Sequence, residues 1–437
     1  MNKDRPKEEG FLRPVLALKA SLAKRERGRM RILFVHNNFP GQYARIVHHL
    51  KGRRDVDMLS ASLASNKQPP LIKRVEYTPH RDVRKDTHPA LRYTEMTVIR
   101  GQAAYTAFMP VKKSGFTPDI ILAHSGFGDG LFLKDLWPQA KYMPYLEWYY
   151  HAYGSDASFL DHDAPKKPDE ELRVRMKNTA ILHDLAAMDW GQCPTEFQKS
   201  QFPSLFRDRI SVLHDGVDTE YFSPAEAATF SVGEHVFHKG DPVITYISRG
   251  MEPYRGFPQF MEAVAILQKN RPEVHVIIIG EDKVAYGPKR QDGNTYKELA
   301  LENLTLDESR IHFLGRQPLQ TLRDVLRISA AHVYLTVPFV LSWSMMEAMS
   351  AGALIVGSDT APVREIITDG ENGLLVPFFE PETLATRLAD VVANQPRYAP
   401  LRERARALML ERYDVKALTK QYFDLIERVA TGQAIQA

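Results

Sequence analysis

The segment VITYISRGMEPYRGFPQFMEAVAILQKNRPEVHVIIIG (residues 243–280) contains two apolar, β-branched runs separated by a helical pattern. The first run ends at Ser248, and the second covers residues 274–280. Nearly continuous apolar strands joined by a helix are typical of parallel strands that are buried on both faces of a sheet. The segment therefore predicts a βαβ unit of a doubly wound α/β domain.

The same alternation of strands and helices extends from Arg31 almost to the end of the chain. It falls into two series, and the second series begins at Val243. We therefore predict two doubly wound, Rossmann-like domains with parallel sheets. The predicted strands include residues 31–36, 119–124, 141–148, 209–214, 243–248, 274–280, 311–315, 331–337 and 353–358.

Changes in composition divide the chain further. The predicted segments are a basic extension (1–29), a first Rossmann-like domain (30–223), a polar, turn-rich linker (224–242), a second Rossmann-like domain (243–412) and a final helix (413–437) that packs back on the first domain. Ligands of open α/β sheets lie beyond the carboxyl ends of the strands. We therefore expect the site in a cleft between the two sheets.

The composition excludes several classes of protein. The 437 residues are 44% hydrophobic and 25% charged with a net charge of +3, which fits a globular chain and does not indicate a nucleic-acid partner. Cys193 is the single cysteine, so an internal disulfide is excluded and a reducing compartment is favoured. No apolar run approaches the roughly 18 residues that span a bilayer. We expect a cytoplasmic protein, with peripheral contact to the inner face of the membrane as a further expectation.

The extension at residues 1–29 holds nine Lys/Arg and four Asp/Glu. Its stretch FLRPVLALKASLAKRERGR (11–29) fits a basic amphipathic helix on anionic lipid. A disordered extension is the alternative, because Met30 directly precedes the first predicted strand. The sequence leaves both interpretations open.

Two arginines flank the loop of the opening segment. Arg249 ends the first strand, and Arg255 precedes the helix. A guanidinium donates parallel hydrogen bonds to phosphate oxygens, and a helix N-terminus adds partial positive charge. The pair therefore suits a diphosphate. The alternative is two solvated loop arginines.

The apolar stretch PFVLSWSMMEAMSAGALIVGSD (338–359) contains one carboxylate before its last residue, Glu347. We predict that a helix begins near Ser344, which gives residues 344–347 the spacing of a capping box. Glu347 would then bond back to the first amide of the helix. Alternatively, its carboxylate accepts both hydroxyls of a ribose. The two interpretations are compatible, and the local spacing does not choose between them.

The stretch VPFVLSWSMMEAMSAGALIVGSDTAPVREIITDGENGLLVPF (337–378) resembles the donor-site signature of the family 4 glycosyltransferases, which have the GT-B fold. The resemblance extends through SRGMEPYRGF (248–257), HDGVDTEYFSP (214–224) and PDIILAHSG (118–126). It therefore covers most of residues 30–430. HNNFPGQYARIVHHL (36–50) further resembles the amino-terminal domain of one bacterial subgroup. The resemblance implies that the first domain binds the acceptor and the second binds the donor nucleotide.

The resemblance also implies roles for single residues. Glu347 matches the glutamate that holds the donor ribose. Arg249 and Arg255 match the Arg/Lys pair on the donor diphosphate, and His124 matches the histidine that reaches the transferred sugar. Gly41 matches the glycine of a loop that meets the donor phosphate.

Further donor contacts are implied around the signature turn. Arg316 lies in the segment that matches the wall against the nucleobase, and Ser342, Trp343 and Ser344 offer amides and hydroxyls in the turn. The first signature glutamate, however, falls on Phe339. Phenylalanine accepts no hydrogen bond from a sugar hydroxyl, so that contact is lost or supplied elsewhere.

Acceptor and metal sites are less clearly indicated. EWYYHAYGSD (147–156) follows a predicted strand of the first domain, and Glu147, Tyr149 and Tyr150 are the predicted acceptor contacts. Aromatic groups of this kind are more often part of a core. DVD (55–57) and DHD (161–163) have the Asp-x-Asp form of metal-dependent glycosyltransferases, but one lies in a predicted strand and the other in a charged loop. We expect no metal and no other cofactor.

These observations predict a metal-independent hexosyltransferase, and the resemblance implies that it retains the anomeric configuration. It would move a hexose from a nucleotide-diphosphate sugar to a glycan, lipid-linked or other acceptor in cell-surface polysaccharide or glycoconjugate synthesis. A GT-B nucleotide-sugar epimerase and a non-catalytic nucleotide-sugar-binding protein are the alternatives, and Phe339 favours the latter. The sequence determines neither the nucleobase, the sugar, the acceptor nor the oligomeric state.

Overall fold

The computed structural model describes residues 28–160, 168–287 and 289–435. The predicted extension, apart from residues 28 and 29, and the predicted Asp-x-Asp segment at 161–163 lie outside the described residues. The described chain divides into two compact units, which are treated separately below. Unit 1 comprises residues 28–152, 168–215 and 418–435, and unit 2 comprises residues 153–160, 216–287 and 289–417.

The strands and helices follow in chain order. The strands are β1 Met30–Val35, β2 Val56–Leu63, β3 Arg74–Tyr77, β4 Ile120–His124, β5 Lys141–Tyr145, β6 Gly191–Cys193, β7 Ile210–Val212, β8 Thr229–Val232, β9 His235–His238, β10 Val243–Gly250, β11 His275–Glu281, β12 Ile311–Gly315, β13 Ala331–Tyr334, β14 Ile355–Ser358 and β15 Leu374–Val376. The α-helices are α1 Ala44–Leu50, α2 Arg92–Lys113, α3 Leu133–Leu136, α4 Asp156–Phe159, α5 Pro168–Met176, α6 Thr179–Ala187, α7 Glu196–Gln201, α8 Ser204–Arg207, α9 Phe257–Asn270, α10 Tyr296–Asn303, α11 Leu319–Ile328, α12 Trp343–Ala351, α13 Ala361–Arg364, α14 Pro381–Ala393, α15 Ala399–Arg412 and α16 Val415–Thr431.

Unit 1 is built on a seven-stranded parallel sheet in the order β3-β2-β1-β4-β5-β6-β7. Alternate residues of β1 pack on opposite faces. Phe34 lies in a buried cluster with Tyr422 and Ile426 of α16, whereas Leu33 and Val35 lie in the cluster on the other face. Because both faces are covered, nearly every position of β1 is apolar.

Unit 2 is built on a six-stranded parallel sheet in the order β12-β11-β10-β13-β14-β15. Tyr246 and Ile278 pack on one face, and Ile247 and Ile277 pack on the other. The predicted βαβ unit is present as β10, α9 and β11. The chain enters α9 through Gly256, whose φ is +62° and whose position would bring a Cβ within 2.4 Å of Leu335 Cβ. Only glycine allows this entry.

The predicted linker at 224–242 differs from the observed arrangement. It contains the antiparallel hairpin β8–β9, and the division between the units falls at residues 215 and 216 instead. The hairpin joins unit 2 because Phe237 is buried in one of its apolar clusters. Residues 153–160 also join unit 2, where the Phe159 ring stacks on that of Phe379 at 5.1 Å.

The carboxyl-terminal helical pattern breaks at the predicted place, because α15 ends at Arg412 and α16 begins at Val415. Residues from 418 onward belong to unit 1. Cys193 is a free, buried thiol in β6. Within the three described ranges, no helix is both long enough and apolar enough to cross a bilayer.

Candidate active site

Arg255 in unit 2 is a buried guanidinium rather than a solvated loop side chain. Only 6% of the residue is exposed. Its Nη1 donates to Tyr334 Oη (3.2 Å), Thr336 Oγ1 (2.9 Å) and the Val340 carbonyl (3.1 Å). These acceptors lie at or just after the carboxyl end of β13. Arg255 therefore joins the loop after β10 to the loop that precedes α12.

Arg249 lies at the end of β10 and is exposed. Its guanidinium carbon is 5.7 Å from the centroid of the Tyr286 ring, and that of Arg255 is 5.3 Å from the same centroid. The structure thus brings the two predicted arginines to one aromatic ring, where the cations gain cation–π stabilisation. Tyr286 was not predicted as a site residue. It follows β11 in a polar loop with no distinguishing pattern.

Glu252 fixes the position of Tyr286. This carboxylate is fully buried, and its Oε2 accepts backbone N–H bonds from Ala285 (2.9 Å), Tyr286 (2.8 Å) and Gly287 (3.1 Å). Three amide donors offset much of the cost of burying a carboxylate. Glu252 is therefore a second residue that the sequence did not single out. Its position between Arg249 and Arg255 was the available signal.

The helix of the signature begins earlier than predicted. Ser342 is the N-cap of α12, its Oγ accepts from Ser344 N at 3.4 Å, and Trp343 is the first helical residue. The capping-box interpretation of residues 344–347 is wrong, because Glu347 lies in the second turn rather than at the third helical position. Glu347 is buried, with 7% of the residue exposed.

Phe339 forms part of an aromatic wall next to Arg255. Its ring centroid is 5.8 Å from that of Tyr254, 5.4 Å from that of Tyr286 and 6.0 Å from the guanidinium carbon of Arg255. Phe339, at the position that matches a signature glutamate, thus packs against aromatic rings and supplies no side-chain hydrogen-bond acceptor. Arg316 is exposed directly after β12. With Lys283 as the largest cause, Arg316 and Arg249 also lower the pKa of Glu281.

Unit 1 contains a directional chain of hydrogen bonds at the carboxyl ends of its strands. His36 Nδ1 accepts from Asn38 N (2.9 Å), so its Nε2 carries the proton and donates to Gln42 Oε1 (2.9 Å). Gln42 Nε2 in turn donates to Glu147 Oε1 (2.8 Å). Gln42 thus fixes the orientation of the predicted acceptor contact Glu147.

His124, at the end of β4, faces the other oxygen of the same carboxylate. Its Nε2 is 3.5 Å from Glu147 Oε2, and its Nδ1 is 2.9 Å from the Ser125 carbonyl. Both ring nitrogens therefore face acceptors. Burial raises the pKa of Glu147, but the contacts with His124 and Gln42 outweigh it and hold that pKa below its ordinary value. The pair is an anionic acceptor beside an imidazole, suited to binding sugar hydroxyls.

Gly41 supports this network directly. Its φ is +46°, and a Cβ there would lie 2.5 Å from His36 Nε2. A larger residue would displace the His36 ring from Gln42. Neither His36 nor Gln42 was predicted as a site residue, although both lie within the quoted HNNFPGQ motif.

The two predicted acceptor tyrosines are part of the packing of unit 1. Tyr149 and Tyr150 are half-buried against an apolar cluster, and the Tyr149 ring lies 5.8 Å from that of Phe202. Tyr150 N donates to Asn178 Oδ1 (2.9 Å), and Asn178 Nδ2 donates to the Tyr150 carbonyl (2.8 Å). The described Asp-x-Asp segment is engaged in ion pairs. Asp55 contacts Arg53 (2.5 Å) and Asp57 contacts Arg29 (3.3 Å).

The burial of His36 predicts acid sensitivity. Burial and His124 lower the pKa of His36 from 6.5 to about 3. The unfolded chain therefore binds a proton that the folded chain excludes between these values. The resulting stability is present above pH 6.5 and is lost by about 1.4 kcal/mol per pH unit as the pH falls toward 3. Thermal unfolding of His36→Gln at pH 7.5, 6.5 and 5.5 should show a smaller pH dependence than that of wild type.

The exposed His48 provides the control. His48→Gln should keep the wild-type dependence. Burial likewise lowers the pKa values of His214 and His332 to about 3, so some dependence remains in His36→Gln. An identical pH dependence in wild type and His36→Gln would show that His36 does not titrate as described.

Comparison with known proteins assigns the family. A sequence model described as "Glycosyl transferase family 4 group" matches residues 54–222, and one described as "Glycosyl transferases group 1" matches residues 229–408. D-inositol 3-phosphate glycosyltransferase of Corynebacterium glutamicum is 31% identical over 302 residues, which cover 66% of this chain and 68% of that protein. The chain belongs to glycosyltransferase family 4.

Other relatives of this family 4 glycosyltransferase are more distant. Phosphatidyl-myo-inositol mannosyltransferase of Mycobacterium tuberculosis is 27% identical over 243 residues, which cover 54% of this chain and 58% of the relative. The match thus spans less than two thirds of that protein. The predicted family is confirmed by these comparisons.

Solved structures confirm the predicted fold of this family 4 glycosyltransferase. Anabaena HepE in complex with UDP-glucose superposes with a TM-score of 0.63 at 16% identity, covering 91% of this chain and 100% of HepE. Sucrose-phosphate synthase from Thermosynechococcus elongatus gives a TM-score of 0.66 at 13% identity, covering 93% and 100%. The fold is GT-B.

Proposed function

We propose that this glycosyltransferase moves a hexose, with retention of configuration, from a nucleoside-diphosphate sugar to a carbohydrate or lipid-linked acceptor in cell-surface polysaccharide or glycoconjugate synthesis. The placement of Arg255 carries the proposal. Its Nη1 makes the three hydrogen bonds to Tyr334, Thr336 and Val340, while Nη2 and Nε have no acceptor within the described residues. A buried guanidinium that is held on one side and unbonded on the other suits the oxygens of a diphosphate.

The remaining donor contacts follow from the residues around Arg255. Arg249 supplies a second cation beside Tyr286, and the first amides of α12 add the partial positive charge of a helix N-terminus. Together these groups stabilise the charge that develops as the diphosphate leaves. Glu347 holds the ribose, and Arg316 contacts the nucleobase. The structure of HepE with bound UDP-glucose supports this class of donor.

In unit 1 the residues around Glu147 are proposed to bind sugar hydroxyls. His124 contacts the transferred hexose, Glu147 contacts the acceptor, and Gly41 gives the donor phosphate access to a backbone amide. Gln42 is a positioning residue for Glu147. The leaving phosphate takes the proton of the acceptor hydroxyl, so that no protein carboxylate needs to act as the nucleophile.

A ligand screen followed by product analysis tests the proposal. Nucleoside diphosphates are first screened by thermal shift, because a ligand at 100 times its Kd adds about 2.7 kcal/mol to stability. The nucleotide that binds is then supplied as its hexose derivatives with candidate acceptors. A new glycoside is expected. An altered nucleotide sugar formed without acceptor would identify an epimerase, and binding without any turnover would identify a non-catalytic binding protein.

Metal independence is a separate prediction. The two arginines can neutralise the diphosphate without a divalent cation, so transfer should continue in the presence of EDTA. Initial rates are measured with EDTA alone and after addition of Mg²⁺ or Mn²⁺. Complete loss of transfer that either ion restores would contradict the prediction.

A further inference from the structure

Unit 1 contains a cavity of about 650 Å³ that none of the proposed site residues lines. Its walls come from residues 83–96 and residues 173–177. Five of the eleven described residues that line it are cationic, and none is acidic: Arg84, Lys85, Arg92, Arg173 and Lys177. A volume of this size is typical of small-molecule sites.

The cations surround an apolar interior. Arg84, Lys85, Arg92 and Arg173 are exposed, whereas Ala90 is buried, and Val83, Met96 and Val174 are half-buried. In the described ranges, none of these four cations lies within ion-pairing distance of a carboxylate. Glu95, which lies in α2 with Arg92, is instead paired with Arg81, whose Nη1 lies 2.5 Å from Glu95 Oε1. The positive charge of the rim is therefore available to a ligand.

Two exposed leucines are sequence neighbours of rim cations. Leu91 precedes Arg92 and is 45% exposed, and Leu172 precedes Arg173 and is 49% exposed. An anion alone would gain nothing from these side chains. A ligand that joins an anionic group to an apolar body would contact both.

The walls of the cavity are tied to each other and to the candidate site. Thr94 Oγ1 lies 3.3 Å from Thr179 Oγ1 and from the Met176 carbonyl, which links α2 to the α5–α6 segment. Tyr93 Oη donates to the Gly126 carbonyl at 3.1 Å, two residues after His124. Lys177 Nζ lies 4.8 Å from the centroid of the Tyr150 ring. The cavity thus adjoins the turns that carry His124 and the predicted acceptor residues.

We propose that this cavity binds the phosphate ester of an amphiphilic acceptor. The inference rests on the proposed function and narrows its acceptor to a phosphate-bearing molecule with an apolar portion. The rim arginines and lysines donate charge-assisted hydrogen bonds to the phosphate. The apolar interior, which includes Val83, Met96 and Val174, contacts the hydrocarbon part.

Calorimetric titration of the full chain tests the proposal without requiring turnover. Three ligands are used: dihexanoyl phosphatidic acid below its micelle concentration, glycerol 3-phosphate and dihexanoyl phosphatidylcholine. The cavity variant is Arg84→Gln/Arg173→Gln, whose side chains make no recorded hydrogen bond in the described structure. The matched control is Arg54→Gln/Lys113→Gln, two exposed cations of unit 1 outside the cavity.

We expect the phosphatidic acid to bind the wild-type chain and the control equally, and to bind the cavity variant at least ten-fold more weakly. Tighter binding of the phosphatidic acid than of glycerol 3-phosphate would support the amphiphilic acceptor, whereas equal binding of the two would show that the apolar part adds nothing and would overturn it. No binding of either phosphate, equal loss in the control, or equal binding of the phosphatidylcholine would overturn the proposal. The Kd for the nucleoside diphosphate identified by the thermal-shift screen, measured in parallel, reports on the donor site and separates its failure from that of the cavity.

Discussion

Replacing Arg255 by alanine should lower kcat/KM by about two orders of magnitude. A charge-assisted hydrogen bond contributes roughly 1.5–3 kcal/mol, and Arg255 offers both Nη2 and Nε to the diphosphate. The same substitution removes three internal hydrogen bonds, to Tyr334, Thr336 and Val340. We therefore expect Tm to fall as well. Steady-state kinetics and thermal unfolding of the same preparation measure the two effects.

Arg249→Ala distinguishes lost chemistry from lost stability. Arg249 is exposed, and its guanidinium lies against the Tyr286 ring. Its replacement should lower kcat/KM by about ten-fold, from the loss of one charge-assisted contact, and leave Tm unchanged. Lys269→Ala, at an exposed position of α9, is the control and should change neither quantity. Wild-type kcat/KM in Arg249→Ala would return that residue to the class of solvated loop arginines.

The second large effect is expected for Glu347→Gln, which should lower kcat/KM by one to two orders of magnitude at nearly constant Tm. Glutamine has almost the same volume but cannot reproduce a carboxylate that accepts two ribose hydroxyls, a loss of roughly 1.5–3 kcal/mol. The N-terminus of α12 should be unaffected, because Ser342 rather than Glu347 caps it. Kinetics with the ordinary donor and with its 2′-deoxyribose analogue measure the effect. The defect should shrink with the analogue, which already lacks one of the hydroxyls.

Ser342→Ala, in contrast to Glu347→Gln, should lower the stability of the protein. Loss of an N-cap side chain costs about 0.5–2 kcal/mol, so this variant should melt at a lower temperature than Glu347→Gln. Full activity of Glu347→Gln with the ordinary donor would exclude the ribose role. A large fall in Tm for Glu347→Gln would instead indicate that the carboxylate stabilises the fold.

The sequence predicted strands that are nearly uninterrupted apolar runs. β1 and β10 are nearly uninterrupted apolar runs, and the structure places them near the centres of their sheets. β2 was predicted only at its start, around residues 55–57, and β6 was missed, for different reasons. Ser60 and Ser62 interrupt the apolar pattern of β2 although both are buried, and β6 is only three residues long. The hairpin in the predicted linker was missed because only Phe237 of β9 is buried.

The positions of candidate site residues were predictable where these residues lie in one local segment. Arg249 and Arg255 lie in one loop, and their common position follows from a strand that leads into a helix. The chain from His36 through Gln42 to Glu147 was not predictable, because 105 residues separate Gln42 from Glu147. The predicted cap of α12 was wrong for a local reason. Ser342 and Ser344 both fit the cap position, and only the path of the chain after β13 selects Ser342.

The packing of Tyr422 and Ile426 against β1 has a consequence for biosynthesis. An amino-terminal domain usually folds first as the chain emerges from the ribosome. Here the strands of the unit 1 sheet are translated before residues 216–417 of unit 2, but the helix that packs on Ile32 and Phe34 is translated after them. Unit 2 can therefore reach its native packing while the part of this sheet face that α16 covers is still exposed, and that part is the surface a nascent-chain chaperone would have to protect.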